Sequence, residues 1–133
     1  MAAKITIIGA GNVGSSIAFA LSFQDMASEI VMIDIAKEKV AGEVMDLQQG
    51  TFFRDPITIR GGEYSDAAGS DIVIITSGAA RKPGQSRLEL AQTNVNIMKS
   101  IMPQVTKYAP DAMYIIVSNP VDILTYQIGR AHV

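Results

Sequence analysis

The segment Gly9-Ala10-Gly11-Asn12-Val13-Gly14 spaces its glycines so that a chain can turn sharply, approach an anion closely and then start a helix. Its setting matters more than its letters. An apolar run, Ile5–Gly9, precedes it, a helical period follows from Asn12, and Asp34 ends the next apolar run twenty positions after Gly14. Gly9 permits the tight turn, Gly11 lets a pyrophosphate reach the backbone, and Gly14 lets the helix lie against the strand. The helix N-terminus then presents unpaired N–H groups and the positive end of its dipole. Asp34 is placed to accept hydrogen bonds from ribose hydroxyls, and its charge opposes a 2′-phosphate. The pattern therefore predicts a dinucleotide site suited to NAD rather than NADP.

Two later segments add polar groups. The loop Gly78–Arg87 follows an apolar run and carries Arg81, Lys82 and Arg87 around a Pro-Gly pair. In an open parallel sheet it falls on the same edge as the glycine turn, where a mobile basic loop can close over an anionic substrate. Arginine suits a carboxylate because its planar fork donates two parallel hydrogen bonds. A solvated surface loop is the plainer reading of the same residues. Farther on, Asn119 precedes Pro120, which favours an extended backbone there and allows the amide to face the cleft. That amide suits a ribose or substrate hydroxyl, or it caps the last helix while Asp122 complements the helix dipole. Spacing alone leaves both readings open.

These groups need a scaffold, and the apolar pattern supplies one. Runs rich in Ile and Val at Ile5–Gly9, Ile30–Asp34, Ile57–Arg60, Ile72–Ser77 and Met113–Ser118 read as five buried parallel strands covered on both faces. Helical segments fit between them. Asn12–Asp25 places Val13, Ile17, Ala20 and Leu21 on one face, and Lys37–Gln49 does so with Val40, Val44 and Leu47. A longer helix starts at Ser86, where Ser86-x-x-Glu89 forms a capping box, and carries Leu88, Ala91, Val95, Met98 and Met102. Pro103 is expected to kink or divide it, and Pro120 to open the last helix. Strand-length runs alternating with helical segments predict a parallel α/β sheet built of βαβ units.

Composition narrows the functions. The chain has 133 residues, a formal net charge of −2, 48% hydrophobic residues and no cysteine. That size suits one domain with its own core. The charge gives no cationic field for nucleic acid or an anionic membrane surface. Without cysteine there is no disulfide framework, thiolate nucleophile or cysteine-ligated metal, and no metal site is predicted. No apolar run approaches bilayer length, and a short start before Lys4 leaves no room for a signal region, so a cytoplasmic protein is expected.

Four ordered segments, GAGNVG, VMIDIAKEKVAGEVMDLQQG, ITSGAARKPGQSRLELAQTNVNI and IVSNPVDILTY, resemble the N-terminal half of the L-lactate/malate dehydrogenase family. The likeness covers about residues 4–127 and is nearest to the lactate enzymes in the third and fourth segments. It implies a doubly wound α/β sheet of Rossmann type, incomplete, with five strands in the order 3-2-1-4-5, followed in that family by a substrate domain, and reversible hydride transfer between NADH and a small 2-oxo acid, usually in a homo-oligomer. By position it assigns Gly9, Gly11, Asn12, Val13 and Gly14 to the cofactor phosphates, and Asp34 with Lys39 to the adenosine ribose. Tyr64, Gly78, Ala79, Ser100 and Val117 would line the cofactor groove. Asn119 would touch nicotinamide ribose and substrate, Asp122 would lie at the rim, and Arg87 would polarise the substrate carbonyl.

Arg81 complicates the substrate. Lactate dehydrogenases commonly carry Gln at this loop position and malate dehydrogenases Arg, and a second guanidinium would pair with oxaloacetate's extra carboxylate. The surrounding segments favour lactate, so malate stands as the alternative. The family's proton-transfer histidine, its orienting aspartate and its carboxylate-gripping arginine belong to a part that would follow residue 133. The chain's one histidine, His132, lies in a terminal stretch, residues 129–133, unlike the family's continuation. The chain is thus expected to be a cofactor-binding fragment, residues 1–133, that holds NAD(H) without turnover. A stand-alone NAD-binding module and a Rossmann protein for another nucleotide, such as S-adenosylmethionine, are the other readings.

Overall fold

Alternating strand and helix periods build a β/α chain whose computed structural model describes residues 3–50 and 57–131. The described elements are β1 (Ala3–Ile8), α1 (Asn12–Phe23), β2 (Ala27–Ile33), α2 (Lys37–Gln49), β3 (Thr58–Gly61), a 3-10 turn (Tyr64–Ala67), β4 (Ile72–Ile75), α3 (Arg87–Tyr108), β5 (Met113–Ile116) and α4 (Val121–Ala131). The strands form one parallel sheet in the order β3-β2-β1-β4-β5, as the sequence predicts. The order reverses at β1, so β1 and β4 leave the sheet in opposite directions and open a crevice beyond their C-terminal ends.

Strand alternation divides the core into two layers. Ile5 and Ile7 of β1, Ile30 and Met32 of β2 and Ile74 of β4 meet Ala18 of α1 and Val40, Val44 and Leu47 of α2. Ile8, Val31, Ile33, Val73 and Ile75 point the other way, onto Met98, Ile101, Met102 and Val105 of α3 and Leu124 of α4. Helices on both faces force the near-continuous Ile/Val runs, because neither side of a central strand meets water. Among the described residues no helix is long and apolar enough to cross a membrane. His132 lies outside the described residues.

Several local expectations need correction. On α1 the buried residues are Gly14, Ala18 and Ser22, while Val13 is 52% exposed and Ala20 is also exposed. Small residues face the sheet because the helix lies too close to it for branched side chains, which places Ile17 and Leu21 at the flank. Leu88, in the first turn of α3, is likewise 81% exposed. Pro103 does not divide α3, which runs for 22 residues through it. Proline removes one backbone donor, but Met98, Ile101, Met102 and Val105 anchor both halves to the same core layer. Finally β5 is covered on one face only. Tyr114 and Ile116 pack toward α3, whereas Met113 and Ile115 remain exposed because α1 and α2, which cover that face, lie over β1, β2 and β3 and not over β5.

One ionic cluster ties β2 and β3 to the 3-10 turn. Arg60 donates from Nε to Glu29 at 2.9 Å and from Nη1 to Asp66 at 3.0 Å, while the Glu63 backbone N–H donates to Asp66 at 2.7 Å. The Glu63 amide first, then the guanidinium, hold the Asp66 carboxyl below the usual carboxylate range. A folded-state value below the unfolded one gives stability that is complete above the unfolded value, near 3.8, and is lost as pH falls through the folded one. Asp66→Asn is therefore expected to lose less urea resistance than the parent between pH 5 and pH 3. Equal losses in the two proteins would remove Asp66 as the acid-sensitive group. The effect is modest because the cluster is partly solvated.

Candidate functional site

The crevice beyond β1 and β4 is built on close backbone approach. Gly9 adopts φ +113°, where a side chain is strained, and its N–H donates to Ile33 at 2.8 Å. A Cβ at Gly14 would lie 1.9 Å from the Gly9 carbonyl oxygen and 2.9 Å from Thr76 Oγ1. Only glycine lets α1 start this near the strand. Gly11 is different, because a Cβ there meets no protein atom within 4 Å and would project into open space. It is also the N-cap of α1 and supplies no side-chain cap. The first-turn amides and the dipole thus face a space that a Cβ would narrow, which fits a phosphate at the helix N-terminus.

That space is a cleft of about 440 Å³. It is lined by Gly11–Gly14 on one side, Gly78–Arg81 with Thr76 on another, and Val117–Asn119 with Leu90 and Asn94 on the third. The structure therefore brings together Gly11, Asn12, Val13, Gly14, Gly78, Ala79, Arg81, Val117 and Asn119, which the sequence places in three separate segments. Thr76, Ala80, Leu90, Asn94 and Ser118 also line it, and sequence reasoning missed them. Asn94 had a signal: it falls three residues after Ala91 and four before Met98, a helical position where a polar residue must be buried.

The remaining sequence-predicted residues sit outside this lining. Asp34 follows β2 and accepts hydrogen bonds from Ala10 N–H at 2.7 Å and Ala36 N–H at 3.0 Å. It therefore holds the glycine turn against the end of β2. It borders a second cavity of about 380 Å³, with Lys37, Gly61 and Gly62. Tyr64 lies half-buried on the 3-10 turn, and burial, then the negative charge of Asp34, raise its phenol's pKa. Lys39 is exposed on α2 and Ser100 on α3. Arg87 is the first residue of α3 and exposed, and Asp122 lies in the first turn of α4.

The basic loop has internal order. Arg81 Nε donates to the Gln85 carbonyl at 2.9 Å, Lys82 N–H to Gln85 Oε1 at 3.0 Å, and Gln85 N–H to the Lys82 carbonyl at 3.0 Å. Gly84, at φ +78°, makes this turn possible. Ser86 then caps α3, accepting from Glu89 N–H at 3.1 Å while Glu89 accepts from Ser86 N–H at 3.3 Å. The predicted capping box thus ends the loop at the residue before Arg87. At the third wall the Asn119–Pro120 bond is cis, and the Pro120 carbonyl accepts from Leu124 N–H at 3.1 Å to start α4.

A glycine turn opening a helix at the reversal point of a parallel sheet defines a Rossmann-type dinucleotide-binding domain. The family model for the lactate/malate dehydrogenase NAD binding domain matches residues 3–132, and the chain belongs to that family. Among curated relatives, L-lactate dehydrogenase 1 of Clostridium acetobutylicum is 58% identical over 123 residues, and the L-lactate dehydrogenase of Clostridium botulinum strain Hall is 54% identical over the same length. Each match covers 92% of this chain and 39% of the relative, so the chain spans well under half the length of these proteins. Among solved structures, the minor L-lactate dehydrogenase of Enterococcus mundtii superposes with a TM-score of 0.94 at 39% identity, over 98% of this chain and 42% of that one. The malate dehydrogenase of Picrophilus torridus gives 0.88 at 34% identity, over 99% and 43%.

Proposed function

We propose that this chain is the NAD(H)-holding part of an L-2-hydroxy acid dehydrogenase that interconverts L-lactate and pyruvate in the cytoplasm, in an assembly of several copies. The observation that carries the reading is the open N-terminus of α1, where Gly11 borders the same cleft as Arg81 and Asn119. The amides of Asn12, Val13 and Gly14 bind the pyrophosphate, with Gly9 shaping the turn beneath it. Asp34 turns a carboxylate toward the adenosine ribose, helped by Lys39, while Tyr64 and Ser100 border the adenosine and Gly78, Ala79 and Val117 the rest of the groove. NAD supplies the hydride acceptor when bound. Asn119 orients the nicotinamide ribose and the substrate, Asp122 lies at the rim, and Arg87 donates to the substrate oxygen as charge develops there.

Lactate is preferred over malate because the curated relatives named above are L-lactate dehydrogenases. Arg81 supports malate as the second reading, since its guanidinium borders the cleft and would pair with a second carboxylate. Turnover of pyruvate and oxaloacetate by the chain extended to its relatives' full length separates them, and a strong preference for oxaloacetate overturns lactate. Cofactor choice is testable on the chain itself. NADH is expected to bind about tenfold or more tightly than NADPH, because a 2′-phosphate would meet the Asp34 carboxylate. Asp34→Asn should narrow that gap in calorimetric titrations. Equal affinities in the parent would sink the ribose assignment.

A further inference from the structure

The cleft's second and third walls are irregular backbone beyond the ends of β4 and β5, where the strand ladder no longer holds them. One side chain reaches both of them. Asn94, 3% exposed on α3, accepts from the Ala79 N–H through Oδ1 at 2.8 Å and donates from Nδ2 to the Asn119 carbonyl at 2.6 Å. The amide's orientation follows from its partners, because a backbone N–H only donates and a carbonyl only accepts. The loop runs directly over this amide: a Cβ at Gly78 would lie 3.4 Å from Asn94 Oδ1. Ser118 adds a second tie between the same walls, donating from Oγ to the Ser77 carbonyl at 2.5 Å.

We infer that Asn94 is a positioning residue that sets the separation of the Gly78–Arg81 and Val117–Asn119 walls, and through them the shape of the cleft that receives the dinucleotide. This rests on the NAD reading above for its ligand, but the tie itself is a property of the chain without ligand. The chemistry required is narrow. The side chain must offer an acceptor and a donor in one short planar group, which excludes Asp when ionised, Ser, and any apolar residue. An unmade bond on either side leaves a part-buried backbone group without its protein partner and frees that wall to move.

Asn94→Asp is the discriminating variant. The ionised carboxyl still accepts from Ala79 but sets a negative oxygen against the Asn119 carbonyl; the protonated form regains a donor. Burial and the facing carbonyl favour that protonated form. Of the described residues lining the cleft only Arg81 carries a charge. NAD affinity of the variant, relative to the parent at each pH, is expected to be about tenfold weaker at pH 8 and to return toward the parent's at pH 5.5. Asn94→Ala should stay weak at both. A variant as tight as the parent at pH 8, or one with the same deficit at both pH values, overturns the inference. Amide exchange of Ala79 in the parent without nucleotide decides the tie independently of any variant's folding. Strong protection supports it, and exchange at open-loop rates overturns it. A parent chain with no NAD affinity would defeat the NAD reading, while the exchange result would still decide the tie.

Discussion

Gly14→Ala is expected to lower the thermal midpoint by about 10 °C and to abolish measurable NAD binding. The added Cβ would sit 1.9 Å from the Gly9 carbonyl oxygen, which is backbone and cannot swing aside like the end of a flexible side chain. Relief requires α1 to lift from β1, separating Ala18 and the Gly9–Gly11 turn from the core layer they complete. Overpacking of this kind costs about 3 kcal/mol, which corresponds to roughly 10 °C for a domain of this length. Gly11→Ala is the matched control. It meets no protein atom, so its midpoint should stay within a few degrees of the parent, yet its methyl group enters the space before the helix N-terminus and should weaken NAD. Circular-dichroism melts and calorimetric titration of both variants measure this. If Gly14→Ala melts with the parent, the close approach of α1 is not what the glycine serves.

The same two glycines show what was legible in the sequence. The turn and its place between a strand and a helix were readable because apolar runs and glycine spacing are local signals, whereas the sheet order is long-range and came with the family resemblance. The bounds of α2 coincide with the expected Lys37–Gln49, and the Ser86–Glu89 box forms as its letters suggest. The side of α1 that faces the sheet was not legible. Hydrophobic periodicity selects large residues, whereas the contact distance at Gly14 selects small ones, and that distance is set by Gly9 and Thr76 elsewhere in the chain. Asp34 shows a further limit. Sequence spacing relates it to a ribose, but its carboxylate also holds the nearby Ala36 and, across the sheet, Ala10, and the tie to Ala10 appears only when β1 and β2 lie side by side. Asn94 escaped for the same reason, since its partners lie 15 and 25 residues away in loops without a period of their own.

Arg87 carries the largest expected effect on rate, and its position separates that effect from stability. It opens α3, where a cation meets the positive end of the helix dipole, an unfavourable placement by about 0.3–1 kcal/mol. The exposed side chain fills no core, and Ser86 and Glu89 cap the helix without it. Arg87→Ala should therefore melt at or slightly above the parent's midpoint and bind NAD as the parent does. With this chain replacing the matching 39% of the Clostridium acetobutylicum enzyme, the same substitution should lower kcat for pyruvate by about 10²–10³, the usual loss when a donor to a developing oxyanion is removed. Stopped-flow reduction at saturating NADH reads this directly. A fall in thermal midpoint with unchanged kcat would make Arg87 a structural residue. A fall in kcat at unchanged midpoint means that a charge unfavourable to the helix is retained because the reacting oxygen lies in front of it.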